Sequence, residues 1–326
     1  MKKIFLSVTN DLVTDQRVHK VAISLQKSNA EVTLVGRKLK NSLPLSERQY
    51  KTKRINFLFT RGAGFYIEYN IRLFFYLLFK KVDILVANDL DSLLANYLVS
   101  CIKRKPLVYD SHEYYTEVPE LVNRPFPKKI WLLIEKAILP RIKHAYTVSN
   151  EIAITYNKLY NINMSLIRNV PYYLNGNISR NSHNKEKVIL YQGSLNIGRG
   201  LEPMIDAMKY LDNFKLQIIG SGDLSDELKD RVQNQKLNDK IEFLGKIPFC
   251  DLPQYTINAD IGIALEENIG LNYYYALPNK LFDYIQAGVP VLVSPFPEMQ
   301  QIVQEYDIGT VYDHSNPEVL AKKITE

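Results

Sequence analysis

The sequence predicts an α/β protein built from two doubly wound domains in tandem, each a parallel sheet with helices on both faces. Three observations carry this. Short apolar runs alternate with helical patterns along all 326 residues. Most of the runs are continuously apolar rather than alternating, as strands buried on both faces must be. The two halves also open on the same plan. KKIFLSVTNDLVTDQRVHKVAISL (2–25) and EKVILYQGSLNIGRGLEPMIDAM (186–208) each read as strand, polar loop and helix, with Arg17 in the first and Arg199 in the second.

In the first half the strands are KIFLSVT (3–9), EVTLVG (31–36), ILVAN (84–88), PLVYDS (106–111), AYTVS (145–149) and SLIRNV (165–170). In the second they are VILYQGS (188–194), KLQIIGSG (215–222), KIEFLG (240–245), IGIAL (261–265) and VPVLVS (289–294). Helices between parallel strands make right-handed βαβ units. The polar stretch PYYLNGNISRNSHNKE (171–186) reads as a linker, which divides the chain into domains at 1–170 and 187–326. Open α/β sheets bind ligands beyond the carboxyl ends of their strands. Two such mouths facing each other across a cleft would share one pair of substrates.

The bulk composition narrows the class. Cys101 and Cys250 are far apart, the five histidines are scattered, and no metal-ligand spacing occurs, so a reduced, metal-free cytoplasmic protein is expected. The opening MKKIFLSVTNDL reads as a first strand and not a signal peptide. The longest apolar run, IRLFFYLLF (71–79), is interrupted by Arg72 and is far short of the roughly 20 residues that span a bilayer. The net charge of +6 divides unevenly. Residues 1–170 carry 27 Lys and Arg against 14 Asp and Glu, and residues 171–326 carry 14 against 21. A basic first half points to an anionic surface or substrate, or to drift of surface charge. No nucleic-acid-binding module accompanies it, so nucleic acid is not an expected partner.

The stretch ALPNKLFDYIQAGVPVLVS (276–294) carries the most chemistry. Asn279 is placed to cap a short helix and Gly288 to end it, with Leu281 and Ile285 facing the sheet. Lys280 at the helix N-terminus suits an anion, and Asp283, one turn on, suits the hydroxyls of a ribose. The plain alternative is a surface helix with a solvated lysine. In GSLNIGRGLEPM (193–204), Gly193, Gly198 and Gly200 permit a tight loop that presents Arg199, although the spacing is not that of a P-loop. IIGSGDL (218–224) holds Gly220 and Gly222 but lacks the third glycine of a dinucleotide site, so it reads as a close backbone approach to some other ligand. Glu266 and Glu267 follow a strand, where a carboxylate can bond sugar hydroxyls, and GLNYYYALP (270–278) can line such a site. His112 and Glu113 sit at the mouth of another strand. Asp89 and Asp91 form a DxD pair that reads as helix caps in preference to a metal site.

Taken in order, these segments resemble the glycosyltransferases of the GT-B fold, specifically the retaining, family 4-like enzymes. The resemblance is carried by DQRVHKVAISLQKSNAEVTLV (15–35), VYDSHEYYTEVPE (108–120), YTVSNEI (146–152), YQGSLNIGRGLEPMIDAM (191–208), IIGSGDL, IEFLGKIPFCDLPQYTINADIGIAL (241–265) and PNKLFDYIQAGVPVLVS (278–294). It implies two Rossmann-like domains facing a cleft, a nucleotide-sugar donor held by the second, and a saccharide or lipid-linked saccharide as acceptor. It implies neither cofactor nor metal. Arg199 and Lys280 match the residues that hold the diphosphate, Asp283 the ribose carboxylate, and Glu267 or its neighbour Glu266 the carboxylate that meets the donor sugar. His112 matches the family histidine at the sugar or the reacting centre. Gly193, Ser194, Gly198, Gly220, Gly222, Asn279 and Leu281 fall in donor-binding segments, and Asp11, Asp15, Arg17 and Glu113 on the acceptor side.

The chain departs from the family pattern in several places. The opening loop TNDLVTDQR has no glycine, Ser194 stands where arginine is common, and the usual glutamate pair is absent, a tyrosine-rich insertion separating Glu267 from Asp283. It stops at NPEVLAKKITE, where the family continues, so a truncated sequence is expected. The implied role is sugar transfer in cell-surface polysaccharide or glycolipid assembly. The alternatives are a nucleotide-sugar epimerase and an inactive nucleotide-sugar-binding protein. KTKRINFLFTRGAGFYIEYNIRLFFYLLFKK (51–81) interleaves cations with aromatics and suits peripheral docking on an anionic inner membrane face, or a helix that packs Leu73, Leu77 and Leu78 in the core.

Overall fold

A strand apolar on both faces must be covered on both, and the two sheets are built on that rule. In the computed structural model, residues 1–13, 15–173, 186–312 and 316–326 are described. The chain divides into two units, Met1–Arg168 and Asn169–Glu326.

The first unit holds strands β1 (Lys2–Asp11), β2 (Ala30–Lys38), β3 (Lys51–Asn56), β4 (Ile84–Asn88), β5 (Leu107–Ser111), β6 (His144–Thr147) and β7 (Met164–Leu166). Its helices are α1 (Gln16–Lys27), α2 (Gly62–Leu78), α3 (Asp89–Lys103), α4 (Pro119–Val122), α5 (Pro125–Ile138) and α6 (Asn150–Tyr160). The strands run parallel in the order β3-β2-β1-β4-β5-β6-β7. Strand order reverses at β1 and β4, which makes their carboxyl ends the binding mouth of this sheet. Right-handed crossovers put α1 on one face and α2, α3, α5 and α6 on the other. On the latter face α2 packs on α3 and α3 on α5. Against α1, Val18 and Ala22 close a core with Ile4, Leu6, Val8 and Leu34. Asp15 starts α1 by accepting the Val18 N–H at 3.1 Å.

The second unit holds β8 (Lys187–Gln192), β9 (Phe214–Ile219), β10 (Ile241–Gly245), β11 (Ile261–Ala264), β12 (Val291–Val293) and β13 (Gly309–Val311). Its helices are α7 (Leu201–Ala207), α8 (Ser225–Asn234), α9 (Leu252–Asn258), α10 (Leu271–Tyr274), α11 (Asn279–Ala287), α12 (Pro297–Tyr306) and α13 (Pro317–Thr325). The order is β10-β9-β8-β11-β12-β13, again parallel, with the reversal at β8 and β11. Successive residues of β8 serve opposite cores, because side chains alternate along a strand. Ile189 and Tyr191 pack toward α7 and α8, whereas Val188 and Leu190 pack toward α11 and α12.

Two strands lie outside the eleven apolar runs. β3, KTKRIN, is mostly exposed and forms the sheet edge, where lysines blunt an unpaired ladder. β13 is only three residues long. SLIRNV contributes a strand only at Met164–Leu166. Most of the linker expected over 171–186 lies outside the described residues.

Candidate functional site

At the mouth of the second sheet, three elements converge on one carboxylate. Glu266 follows β11 and is fully buried. Lys280, in the first turn of α11, places Nζ 2.8 Å from Glu266 Oε1, and Arg199, in the loop after β8, places Nη1 3.4 Å from the same oxygen. The two residues expected to share a diphosphate therefore meet. Each cation also rests on a tyrosine. Lys280 Nζ lies 4.2 Å from the centroid of Tyr191, and the Arg199 guanidinium 4.6 Å from that of Tyr273.

The backbone fixes this arrangement. Gly200 has φ +69°, and a Cβ there would fall 2.0 Å from the carbonyl oxygen of Leu265, so only glycine lets the loop lie against the end of β11. The Glu267 N–H donates to the Gly198 carbonyl at 2.9 Å, and Ser294 Oγ donates to the Glu266 carbonyl at 2.6 Å.

Burial pushes the Glu266 carboxyl up, but Lys280 and then Arg199 outweigh it and hold it below its usual range. Burial lowers the Lys280 pKa; Glu266 opposes this, and the neighbouring Arg199 adds to it. Two cations against one carboxylate leave an excess of positive charge, which suits a multiply charged anion. Oε2 of Glu266 is buried and has no hydrogen-bond partner among the described residues. Glu267 is half-buried, and burial, with Glu202 nearby, raises its pKa.

A second arm of the site leads from β8 to α11. Gln192, buried at the end of β8, donates Nε2 to Asp283 Oδ2 at 2.8 Å and accepts Thr256 Oγ1 at 2.9 Å. Asp283 borders an apolar cavity of about 160 Å³ lined by Tyr172, Phe249, Leu252 and Pro253 among others.

Several expected donor residues have other duties. Asn279 does not cap α11. The helix starts from Pro278, whose fixed φ of −70° sets the entry, while the Asn279 side chain accepts from Asn169 at 3.0 Å. Leu281 is fully buried in the core between α11 and the sheet, where such a side chain contributes roughly 1.5–3 kcal/mol, so its side chain is not open to a ligand. Gly220 and Gly222 are required by the protein's own backbone. A Cβ on Gly220 would lie 1.8 Å from the Gly193 carbonyl oxygen, and one on Gly222 would lie 2.3 Å from Asn196. Ser194 is exposed, and its carbonyl accepts the Tyr191 hydroxyl at 2.7 Å. Gly193 and Gly198 both take positive φ in the same loop.

The mouth of the first sheet carries a denser charge cluster. His112 Nδ1 lies 2.6 Å from Asp89 Oδ2, and the His112 N–H donates to Asp89 Oδ1 at 3.1 Å. Burial alone lowers the imidazole pKa, but the Asp89 charge reverses this and pushes it up to about 9, so at neutral pH His112 is a cation and a donor. Arg17 donates to the fully buried Asp110, which also accepts the Tyr146 hydroxyl at 2.7 Å, and its Nη1 stands 3.1 Å from His112 Nδ1.

Asp89 and Asp91 do not cap α3. Asn88 occupies that place, Asp89 is turned to His112 with φ +59°, and Asp91 accepts Thr9 Oγ1 at 2.6 Å. Burial, and then Asp89, push Asp91 up to about 7. Of the remaining acceptor-side residues, Asp11 is held by Arg54 at 3.0 Å and by Ser42, Asp15 caps α1, and Glu113 is exposed. Of these four, Arg17 stands directly against His112. Sequence reasoning missed Asp110, Tyr146 and Gln192. All three end buried strands or face their neighbours, and the only signal is a polar residue closing an apolar run.

Comparison with known proteins follows both units. The family described as Glycosyltransferase Family 4 matches residues 15–171, and the family described as Glycosyl transferases group 1 matches residues 177–326. An uncharacterised glycosyltransferase of Methanocaldococcus jannaschii is 31% identical over 141 residues, covering 42% of this chain and 34% of that protein. An alpha-monoglucosyldiacylglycerol synthase of Streptococcus pneumoniae is 25% identical over 133 residues, covering 39% of this chain and 28% of that protein. The matches thus span about a third of the length of these curated relatives. The crystal structure of HepE from Anabaena, in complex with UDP and glucose, superposes with a TM-score of 0.75 at 14% identity, covering 100% of this chain and 89% of that one. The two families account for both units in turn and the fold agrees throughout, and the chain belongs to the family 4-like glycosyltransferases of the GT-B fold.

Proposed function

We propose that the chain moves a sugar from a nucleoside-diphosphate sugar to a hydroxyl of a saccharide or lipid-linked saccharide, with retained anomeric configuration, in the assembly of cell-surface polysaccharide or glycolipid. One observation carries the reading: Arg199 and Lys280 converge on a single buried oxygen of Glu266 at the mouth of the second sheet. As the glycosidic bond to the diphosphate breaks, negative charge grows on the leaving oxygens. Two cations already in place stabilise it, and one well-aimed group of this kind is worth roughly 3–4 kcal/mol. Glu266 keeps the pair assembled, Glu267 meets the sugar hydroxyls, and Asp283, steadied by Gln192, accepts from the ribose. The apolar cavity beside Asp283 takes the base. His112, a cation at neutral pH, donates a hydrogen bond and does not act as a base.

The relatives lend support by their names alone: HepE is described with UDP and glucose, and the streptococcal relative is named as the synthase of a glucosylated diacylglycerol. An acceptor of that kind is met on the membrane surface.

Calorimetry with UDP, and then with a panel of other nucleoside diphosphates, tests the donor site. Arg199→Met and Lys280→Met are each expected to weaken diphosphate binding tenfold or more, with a smaller effect on nucleoside monophosphates. Wild-type affinity in both variants would overturn the reading. Turnover of donor without acceptor would reassign the chain to isomerase chemistry, and NMR of the product anomer decides retention.

A further inference from the structure

The tyrosine-rich segment 270–278 is anchored in the second unit, and one of its rings stands against the cation pair. Leu277 is buried in the core beside α11. Tyr274 packs on Phe296, itself buried just before α12, with ring centroids 5.3 Å apart. The Tyr273 and Tyr274 N–H groups both donate to the Gly270 carbonyl at 3.0 Å and close the short turn of α10. Tyr273 therefore leaves a fixed turn, and it is buried. Its ring meets the loop after β8. A Cβ on Gly198 would lie 3.1 Å from Tyr273 Cε2 and 2.6 Å from Ile269 Cδ1, so the bare glycine lets the Arg199 loop come up to the ring.

The two cations at Glu266 are held differently. Lys280 is buried, and its 2.8 Å contact is an ordinary charge-assisted hydrogen bond. The Arg199 side chain is 25% exposed, and its Nη1 stands 3.4 Å from the same oxygen, beyond the roughly 2.7–2.9 Å of such a bond. The carboxylate attracts this guanidinium more loosely, and Lys280 repels it. The ring of Tyr273, 4.6 Å away, offers a planar face to a planar cation. A ring also holds a cation without cancelling its charge. A second carboxylate in that place would fix Arg199 too, but it would remove the excess positive charge that suits a diphosphate.

We propose that Tyr273 is the positioning residue for Arg199: its ring aims the guanidinium at the diphosphate of the donor and leaves the charge intact. The purpose of the contact rests on the nucleotide-sugar reading of this site; the contact itself does not.

Two measurements test it, the first without ligand. NMR of the arginine Nε–H groups should show the Arg199 signal displaced by the ring current of Tyr273 in the wild type and in Tyr273→Phe, and not in Tyr273→Leu. Calorimetry should show Tyr273→Leu binding UDP about three- to thirtyfold more weakly, the range of a cation–ring contact, and Tyr273→Phe binding it as the wild type does. On an Arg199→Met background, Tyr273→Leu should lose no further affinity, whereas a merely structural role would add its loss to that of Arg199. A wild-type Arg199 signal without the displacement would overturn the proposal whatever the fate of the variants. So would losses that add in the double variant, or Tyr273→Phe as weak as Tyr273→Leu. If Arg199→Met binds UDP like the wild type while the NMR displacement behaves as expected, the contact stands and the donor reading falls.

Discussion

Replacing Lys280 separates what the cation does for the fold from what it does for a ligand. Lys280 is 7% exposed and 2.8 Å from Glu266, a carboxylate with no exposure at all. Lys280→Met keeps the bulk and removes the charge. Breaking a buried pair by removing one partner costs about 3–5 kcal/mol, because the other charge is left uncompensated. Here Arg199 remains 3.4 Å away, so the lower end of that range, about 3 kcal/mol, is expected. In a unit of this size that is a fall in melting temperature of roughly 6–12 °C. Adding Glu266→Gln removes the orphaned charge and should restore most of the stability. It should not restore diphosphate binding or turnover, which depend on the missing cation and should stay down by a factor of about 10²–10³ in kcat. Thermal melting and UDP calorimetry on the two single variants and the double variant read both effects. Recovery of stability and binding together, or of neither, would refute the division of roles.

Three further outcomes follow from the geometry. His112 is held at about 9 by Asp89, above its unfolded value near 6.5. Its contribution to stability, at most about 3 kcal/mol, is complete below pH 6.5 and disappears as pH rises through 9. NMR titration should place the transition near 9 in the wild type and well below it in Asp89→Asn, and an unshifted variant would refute the pairing. Gln192→Leu removes the donor that orients Asp283, so KM for the donor should rise several-fold with little change in kcat, measured by steady-state kinetics; equal KM would refute it. Gly200→Ala forces a Cβ to within 2.0 Å of the Leu265 carbonyl oxygen, and should lower both melting temperature and UDP affinity, whereas an unchanged protein would show that the loop need not touch β11.

Much of this was legible in the chain because it is local. β1 and β8 announce themselves as unbroken apolar runs, and Arg199 and Lys280 as cations just past a strand and at a helix start. β3 was not legible: KTKRIN has the composition of a surface loop, and only its place beside β2 makes it a strand. Nor were the roles of the carboxylates. Glu266 and Glu267 are neighbours in sequence, and what separates them is burial at the end of β11, imposed by the approach of Gly200. The Asp110–Tyr146 bond depends on the register of β5 and β6, which sets these two residues opposite each other across 36 positions of chain. Asp89 was read as a cap because an acid before a helix usually is one; its left-handed backbone turns it to His112 instead.

By sitting between Arg199 and Lys280, Glu266 gives the site an internal anion. The repulsion of gathering two like charges is overcome once, while the chain folds, and not afresh at every turnover. On the proposed reading, an incoming phosphate would find them already aligned but partly neutralised. Weakly charged anions would then be held loosely, and on departure of a diphosphate the two cations would return to a carboxylate that has stayed in place.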